Sequence, residues 1–476
     1  MTLNASVGDL PRRAALVCSA ALLSGLLVLS TMASGATEAR AGAPGTWSLA
    51  GSGIRTVSGQ IGTARTPDGV LHVIWSRGGA GTPWALLETT VTPAGKVSAP
   101  QEIVSGWSRI DDVAATISKG KPLTVVFPGT KTDTTGDPTE GLNMATNDGG
   151  GWTVGSSAIY KTGLASSSVP SIGYTRRGTL LQAWSANGQV VVHAGVDPAV
   201  PTQSIGEGGN VTVAGWNQVM SVVSDVDRVS IAWCSSGSQP GIYALEFGAD
   251  PPIPIRRLRG SETTRCPAAA RASYARNPDL GVDNTSAAAS VGSERTVRVW
   301  YNAVAGPTDV ARGRGIKQQV ALAADPTGRM WVGWRDAGSG RLRLRRSNGG
   351  EGWGAVVSTA LPASQDAVYN LDLSAQDDRV DVIVRTTKGA AVSLFHTQMF
   401  PGLTVKATSK AGRVTVLVTD AGVPVPGSSV RVGGRLLRTG ADGSAGIDLP
   451  SGSYKVTAAK AKYVGATTRV RVKGGR

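Results

Sequence analysis

Short runs of apolar residues recur along most of the chain, many of them alternating with polar ones. Each follows a polar turn and most end on an aromatic: 71–75 (LHVIW), 123–127 (LTVVF), 180–184 (LLQAW), 229–233 (VSIAW), 297–301 (VRVWY), 330–334 (MWVGW) and 380–384 (VDVIV). A period of two marks a β-strand, whose successive side chains point to opposite faces. The runs end 52, 57, 49, 68, 33 and 50 residues apart, close to the spacing of a four-stranded propeller blade. One such sheet cannot bury both faces alone, so several must stack around an axis. The pattern predicts an all-β protein with a six- to seven-bladed β-propeller, the 68 and 33 steps leaving the fifth boundary irregular. Turn chemistry agrees: Thr66-Pro67-Asp68-Gly69, Arg177-Gly178 and Asp325-Pro326-Thr327-Gly328 each precede a run, and these residue types favour turns. No amphipathic helical window competes.

Beyond residue 400 the pattern changes. Strands alternate cleanly at 403–408, 413–419, 429–432, 445–449, 453–458 and 466–472, with no Trp and no Cys. Six or seven short strands in so small a space predict a C-terminal β-sandwich. The expected organisation is a leader over 1–41, a propeller over 42–400 and the sandwich over 401–476.

Two turns share Asn-x-Gly-x-x-Trp: Asn147, Gly149 and Trp152, then Asn348, Gly350 and Trp353. The Asn side chain can cap its own turn, Gly supplies positive φ, and Trp fills a groove between blades. The motif resembles the Asp-box of sialidase-like propellers, with Asn in place of Asp and with Ala145 and Arg346 where that motif has a hydroxyl. In that family the boxes are structural, so the resemblance implies the fold and no reaction. The family's first-blade arginine falls at Gln60, ahead of Thr66-Pro67-Asp68-Gly69. A neutral amide cannot form the charge-assisted pair that a sugar carboxylate needs. Tyr369 falls where the resemblance would put a nucleophilic tyrosine, and a tyrosine packed in a strand is the alternative. Asp111 and Asp112 are the adjacent acidic pair near a blade entrance, with a solvated turn as the alternative. The expected function is therefore noncatalytic recognition of carbohydrate or another surface polymer. An exo-acting glycoside hydrolase centred on the propeller axis is the second reading.

The stretches 418–427, 439–443, 449–454 and 462–464 resemble the regulatory-like domain of carboxypeptidases, a prealbumin-like or carbohydrate-binding-like sandwich. The resemblance implies an accessory module of extracellular proteins.

Charge then separates the two parts. The chain of 476 residues carries 48 Lys+Arg against 33 Asp+Glu, a net +15, yet residues 401–476 hold 13 and 3 of these, a net +10. Residues 42–400 hold 32 and 28, so the propeller is nearly balanced. A basic terminal domain suits salt-sensitive contact with an anionic envelope polymer or acidic glycan, with a solubilising charged face as the alternative. Nucleic acid is disfavoured, since only Tyr454 and Tyr463 in that segment could stack on bases. Within the propeller, Arg341, Arg343 and Arg345 alternate onto one strand face, a candidate polyanion site with a solvated face as the alternative; Arg256, Arg257 and Arg259 form a second cluster.

Arg12 and Arg13 ahead of an apolar run, then Ala39-Arg40-Ala41, read as a secretory signal cleaved after Ala41. An uncleaved anchor is the alternative. Secretion or cell-surface attachment follows, with no transmembrane helix in the mature chain. Cys234 and Cys266 would then be the remaining cysteines, a disulfide in an oxidising compartment, with two buried free thiols as the alternative. His72, His193 and His396 are too scattered for a zinc site. Asp133, Asp137 and Glu140 surround Gly136 and can offer oxygen ligands to Ca²⁺, but the spacing is not that of an EF-hand and a solvated loop between outer strands is the preferred reading. No other cofactor is expected, and neither nucleotide nor serine-hydrolase motifs occur.

Overall fold

The computed structural model describes residues 45–473 apart from 55–59, 80, 119, 133–137, 156–169, 175–177, 187–188, 198, 200–202, 205–218, 226–227, 236–238, 248–252, 263–270, 278–281, 293–294, 301–305, 314–316, 350–351, 364 and 377. Every regular element among the described residues is a β-strand. No helix there is long and apolar enough to cross a membrane.

Up to Met399 the strands form seven antiparallel sheets, each ordered from an innermost to an outermost strand. Blade 1 is Gly62–Arg65, Leu71–Gly79, Thr82–Val91 and Gln101–Trp107. Blade 2 follows with Leu123–Thr132, Pro138–Asn147 and Trp152–Val154, its innermost strand broken into Arg109–Ile110 and Ala114–Thr116. The other innermost strands are Ser171–Tyr174, Val219–Asp225, Arg271–Asn277, Lys317–Ala324 and Ala367–Gln376. Each innermost strand lies against that of the next blade, and Ala367–Gln376 lies against Gly62–Arg65, so the ring is closed. The first described strand, Ser48–Ile54, closes it through an antiparallel hydrogen-bonded ladder with Ala391–Met399 as the outermost strand of blade 7.

Alternation along the second strands explains the stacking. Leu71, Val73 and Trp75 pack with Ile383, Val392 and Leu394 of blade 7, while Ile74 between them packs with Val125 and Phe127 of blade 2. In the same way Met330, Val332 and Trp334 face blade 5, and Trp331 faces blade 7. The aromatic that ends the run thus enters the groove with the preceding blade. The core of the propeller is this set of interfaces, which no single sheet could build.

The irregular fifth repeat has a simple cause. The second strands begin at Leu71, Leu123, Leu180, Arg228, Val282, Met330 and Arg379, in steps of 52, 57, 48, 54, 48 and 49 residues. The run at 297–301 belongs instead to the third strand of blade 5, Thr296–Trp300. The true second strand, Val282–Gly292 (VDNTSAAASVG), is rich in small residues and ends without an aromatic, so it escapes the pattern.

After Met399 eight strands form two four-stranded sheets. One comprises Thr404–Lys410, Arg413–Asp420, Val423–Pro424 and Ser444–Asp448; the other Arg435–Arg438, Ser429–Val432, Gly452–Ala459 and Ala466–Val472. Val414, Val416, Val418, Val430, Val432, Val456 and Val470 from both sheets close a shared core. The short strands Val423–Pro424 and Arg435–Arg438 are additions to those the alternation predicts, because two to four residues carry too little pattern.

The sandwich is docked on blade 6 by a buried ion cluster. Asp420 is 1% exposed and Arg346 2%. Arg346 pairs with the Asp420 carboxylate, and Arg329 reaches the same oxygen at 3.0 Å. The Arg346 guanidinium lies between the Trp331 ring at 5.5 Å and the Tyr463 ring at 5.9 Å, a cation–π arrangement. Gly402 bridges Ala355 on one side and Val464 on the other, and Lys462 pairs with Asp378.

Candidate functional site

The innermost strands all start at the same mouth of the axis, and four of them are irregular there, blade 4 by a shift of pairing between Val219 and Ser221. In blade 2 the break falls on Asp111, Asp112 and Val113. In blade 6 the pairing shifts between Gln318 and Ala321, with Gln319 at φ 47°. In blade 7 it shifts between Val368 and Asn370, which makes Tyr369 the extra residue of a bulge. Bulges re-aim side chains and gather beside functional sites, and positive φ at a non-glycine residue stores strain.

The acidic pair is therefore no ordinary solvated turn. Asp111 accepts a hydrogen bond of 2.9 Å from Arg109 Nε. Burial pushes its carboxyl above the usual range; Arg109 opposes the shift and the charge of Glu140 adds to it. Asp112 accepts from the Gln60 backbone N–H, and the Gln60 carbonyl accepts from Val113 N at 3.3 Å. Arg385 of blade 7 is fully buried, opposite Asn370 in register. Burial draws its pKa down to about 10, and the charge of Asp112 acts against that. Gln60, the position the family resemblance emptied of its arginine, thus contacts a carboxylate that faces an arginine from another blade. Deeper in the axis Thr63 Oγ1 donates to Asp372 Oδ2 at 2.9 Å. Tyr369 is half-buried on its bulge, where its neighbours Val368 and Asn370 are buried.

The other candidates lie elsewhere. Both Asn-x-Gly-x-x-Trp turns join the third and fourth strands of their blades, in blades 2 and 6. Asn147 Oδ1 accepts from Gly149 N at 2.8 Å and Gly151 N at 3.4 Å, and Asn348 Oδ1 from Gly352 N at 3.2 Å. Trp152 packs at the blade 1–2 interface and donates to Glu88 Oε2 at 2.9 Å, while Trp353 packs at the blade 5–6 interface. Gly350 lies outside the described residues. Arg346, which replaces the motif's hydroxyl, is the arginine that docks the sandwich.

Arg341, Arg343 and Arg345 do share a face, but all three are engaged. Arg345 donates to the carbonyls of Gly354 at 2.8 Å and Trp353 at 3.3 Å, and to that of Val310. Arg343 forms an ion pair with Asp336 at 3.1 Å, and Arg341 bonds Ser358 Oγ at 3.2 Å. The proposed leader, Cys266, Asp133 and Asp137 fall outside the described residues, as does the Cys234 side chain; Glu140 is exposed.

Neither Arg385 nor Asp420 stands out as a candidate in the sequence. A charged residue one step beyond an apolar strand run, as Arg385 is beyond 380–384, is the signal that was available.

No protein-family model matches the chain, and no curated protein matches it. Among solved structures it is similar to a Penicillium chrysogenum alpha-L-arabinanase complexed with arabinobiose, at 13% identity and a TM-score of 0.41 over 61% of this chain and 94% of that one. A Hadza microbial sialidase has 12% identity and a TM-score of 0.38 over 72% and 65%. A polysaccharide lyase has 10% identity and a TM-score of 0.43 over 73% and 91%. Similarities this low carry no inference about what this chain does.

Proposed function

We propose that this is an exported or cell-surface protein that recognises carbohydrate or another surface polymer without cleaving it. The observation that carries the reading is the state of the axial mouth. Its described charges are engaged with the protein itself: Asp112 with the Gln60 backbone and the field of Arg385, Asp111 with Arg109, Asp372 with Thr63. The basic excess lies instead on the terminal sandwich, read here as the carboxypeptidase regulatory-like module. The Asn147 and Asn348 turns are read as degenerate Asp-boxes, and Cys234 with Cys266 as a disulfide. A binding screen of the full chain against neutral and acidic glycans and cell-wall polymers tests the role; turnover of any bound glycan would defeat it.

One observation favours the second reading, an axial glycoside hydrolase. Asp111 is a carboxyl held above its usual range beside Glu140, and a raised acid near a second carboxylate is what a glycosidase general acid requires. Release of reducing sugar that disappears in Asp111→Asn would establish it.

A further inference from the structure

We infer that the outer face of one sandwich sheet, carrying Arg431, Arg438, Lys455, Arg469 and Arg471, is a binding site for a linear polysaccharide bearing carboxylate or sulfate groups; this deepens the recognition role proposed above. The sheet runs Arg435–Arg438, Ser429–Val432, Gly452–Ala459, Ala466–Val472, and these four strands contain no Asp or Glu. Val430, Val432, Val456, Ala458, Val470 and Val472 point inward to the core. The alternate residues therefore point out, and all five cations are exposed. None has a hydrogen bond or ion pair among the described residues.

Register sharpens the point. Lys455 lies directly opposite Arg469, with Arg471 two residues on, opposite Ser453. Like charges directly opposite across an antiparallel pair destabilise the sheet. The companion sheet is mixed: Arg413 lies opposite Lys410 on one side and opposite Asp448 on the other, with its charge 3.9 Å from that carboxylate. Within one small domain, one sheet sets an exposed carboxylate among its outward cations and the other concentrates a single sign on its outer face.

The side chains select among polyanions. Four of the five are Arg, whose planar fork matches carboxylate and sulfate in two-point contacts. Strand spacing of about 4.8 Å and an i, i+2 repeat of about 6.7 Å give a lattice of cations suited to a chain with regularly repeated anions. Exposed Thr467 and Ser453, beside Thr457, add hydroxyls for sugar hydrogen bonds. The face has no aromatic on which a nucleic-acid base could stack, and Leu436, 62% exposed, is too small an apolar surface to insert into a membrane. The docking contacts Asp420, Tyr463 and Lys462 lie off this face, which leaves it open beside the propeller.

The test uses the full chain with immobilised polygalacturonate and chondroitin sulfate, with dextran, duplex DNA and phosphatidylglycerol vesicles as comparators. Lys455→Gln, Arg469→Gln and Arg471→Gln combined should weaken binding to the acidic polysaccharides at least about tenfold and flatten its salt dependence. Lys406→Gln, Lys410→Gln and Arg413→Gln combined remove the same charge from the other sheet and should change binding less than about threefold. Equal losses in the two triple variants would overturn the site, because net charge alone would then account for binding. Tighter binding to DNA or vesicles than to either polysaccharide would overturn the ligand class. Binding to a neutral glycan but to neither acidic one would sink this site and leave the recognition role standing, whereas no binding to any polymer would remove both.

Discussion

The propeller and the sandwich place their cationic side chains in opposite settings. In the propeller Arg65 donates to Asp381 at 2.6 Å, Arg385 is buried in the field of Asp112, and Arg346 is buried against Asp420 of the neighbouring domain. In the sandwich Arg431, Arg438, Lys455, Arg469 and Arg471 face water with no acid on their sheet. Buried arginines join pieces of structure, since a desolvated cation needs its carboxylate. Exposed ones of a single sign add nothing to the fold and remain available for a partner. The net charge of +15 thus lies mostly in one domain, with +10 of it in residues 401–476.

The comparison breaks first at the dock. Asp420→Ala leaves Arg346 buried without its carboxylate and should cost about 3–5 kcal/mol in urea unfolding; a loss below about 1 kcal/mol would show that the pair holds nothing together. For the same reason, removing 401–476, which strips Arg346 of Asp420, should lower the Tm of the propeller.

The ring closure should respond to pH. Burial alone would raise the Asp381 pKa, but hydrogen bonding from His396 and the charge of Arg65 outweigh it, so the carboxyl is held below the usual range. A depressed folded-state pKa contributes stability that is present above the unfolded value, about 3.9, and is lost as pH falls through the folded one. Asp381→Asn should lower Tm at neutral pH and flatten its decline below about pH 4. An unchanged acid limb would assign that decline to other carboxylates.

Smaller effects separate turn from surface. Asn147→Ala removes the acceptor for Gly149 N and should cost about 1 kcal/mol, read by urea unfolding, with no effect on polymer binding. Lys455→Gln relieves the opposition to Arg469 and should stabilise the chain by about 0.2–1 kcal/mol while weakening polyanion binding. A lower Tm in that variant would mean that the lysine supports the sheet and that the contrast between the two regions fails there.

Much of the architecture was legible because its causes are local. Alternation of period two, turn residues and an aromatic at the strand end repeat wherever a blade must stack, and they marked six of the seven second strands. Blade 5 was misphased because Val282–Gly292 is rich in small residues and ends without an aromatic. The site was less legible. Tyr369 and the pair Asp111 and Asp112 stood out by type, but that one sits on a bulge and the others in a broken strand depends on pairing with neighbouring strands. Arg385 looked like the end of a strand, and Arg346 like a defect in a turn motif.

The sequence by itself determined an all-β chain, a blade period near 50 residues, a change of domain near residue 400 and the segment that carries the positive charge, because each is set by residues close together in the chain. Only the tertiary structure decided which charges are engaged. Arg346 meets Asp420 across 74 residues and Arg65 meets Asp381 across 316, while Lys455 and Arg469 come together with their like charges unrelieved. Those outcomes depend on ring closure, on docking and on sheet register, and none of these is encoded in any short stretch of sequence.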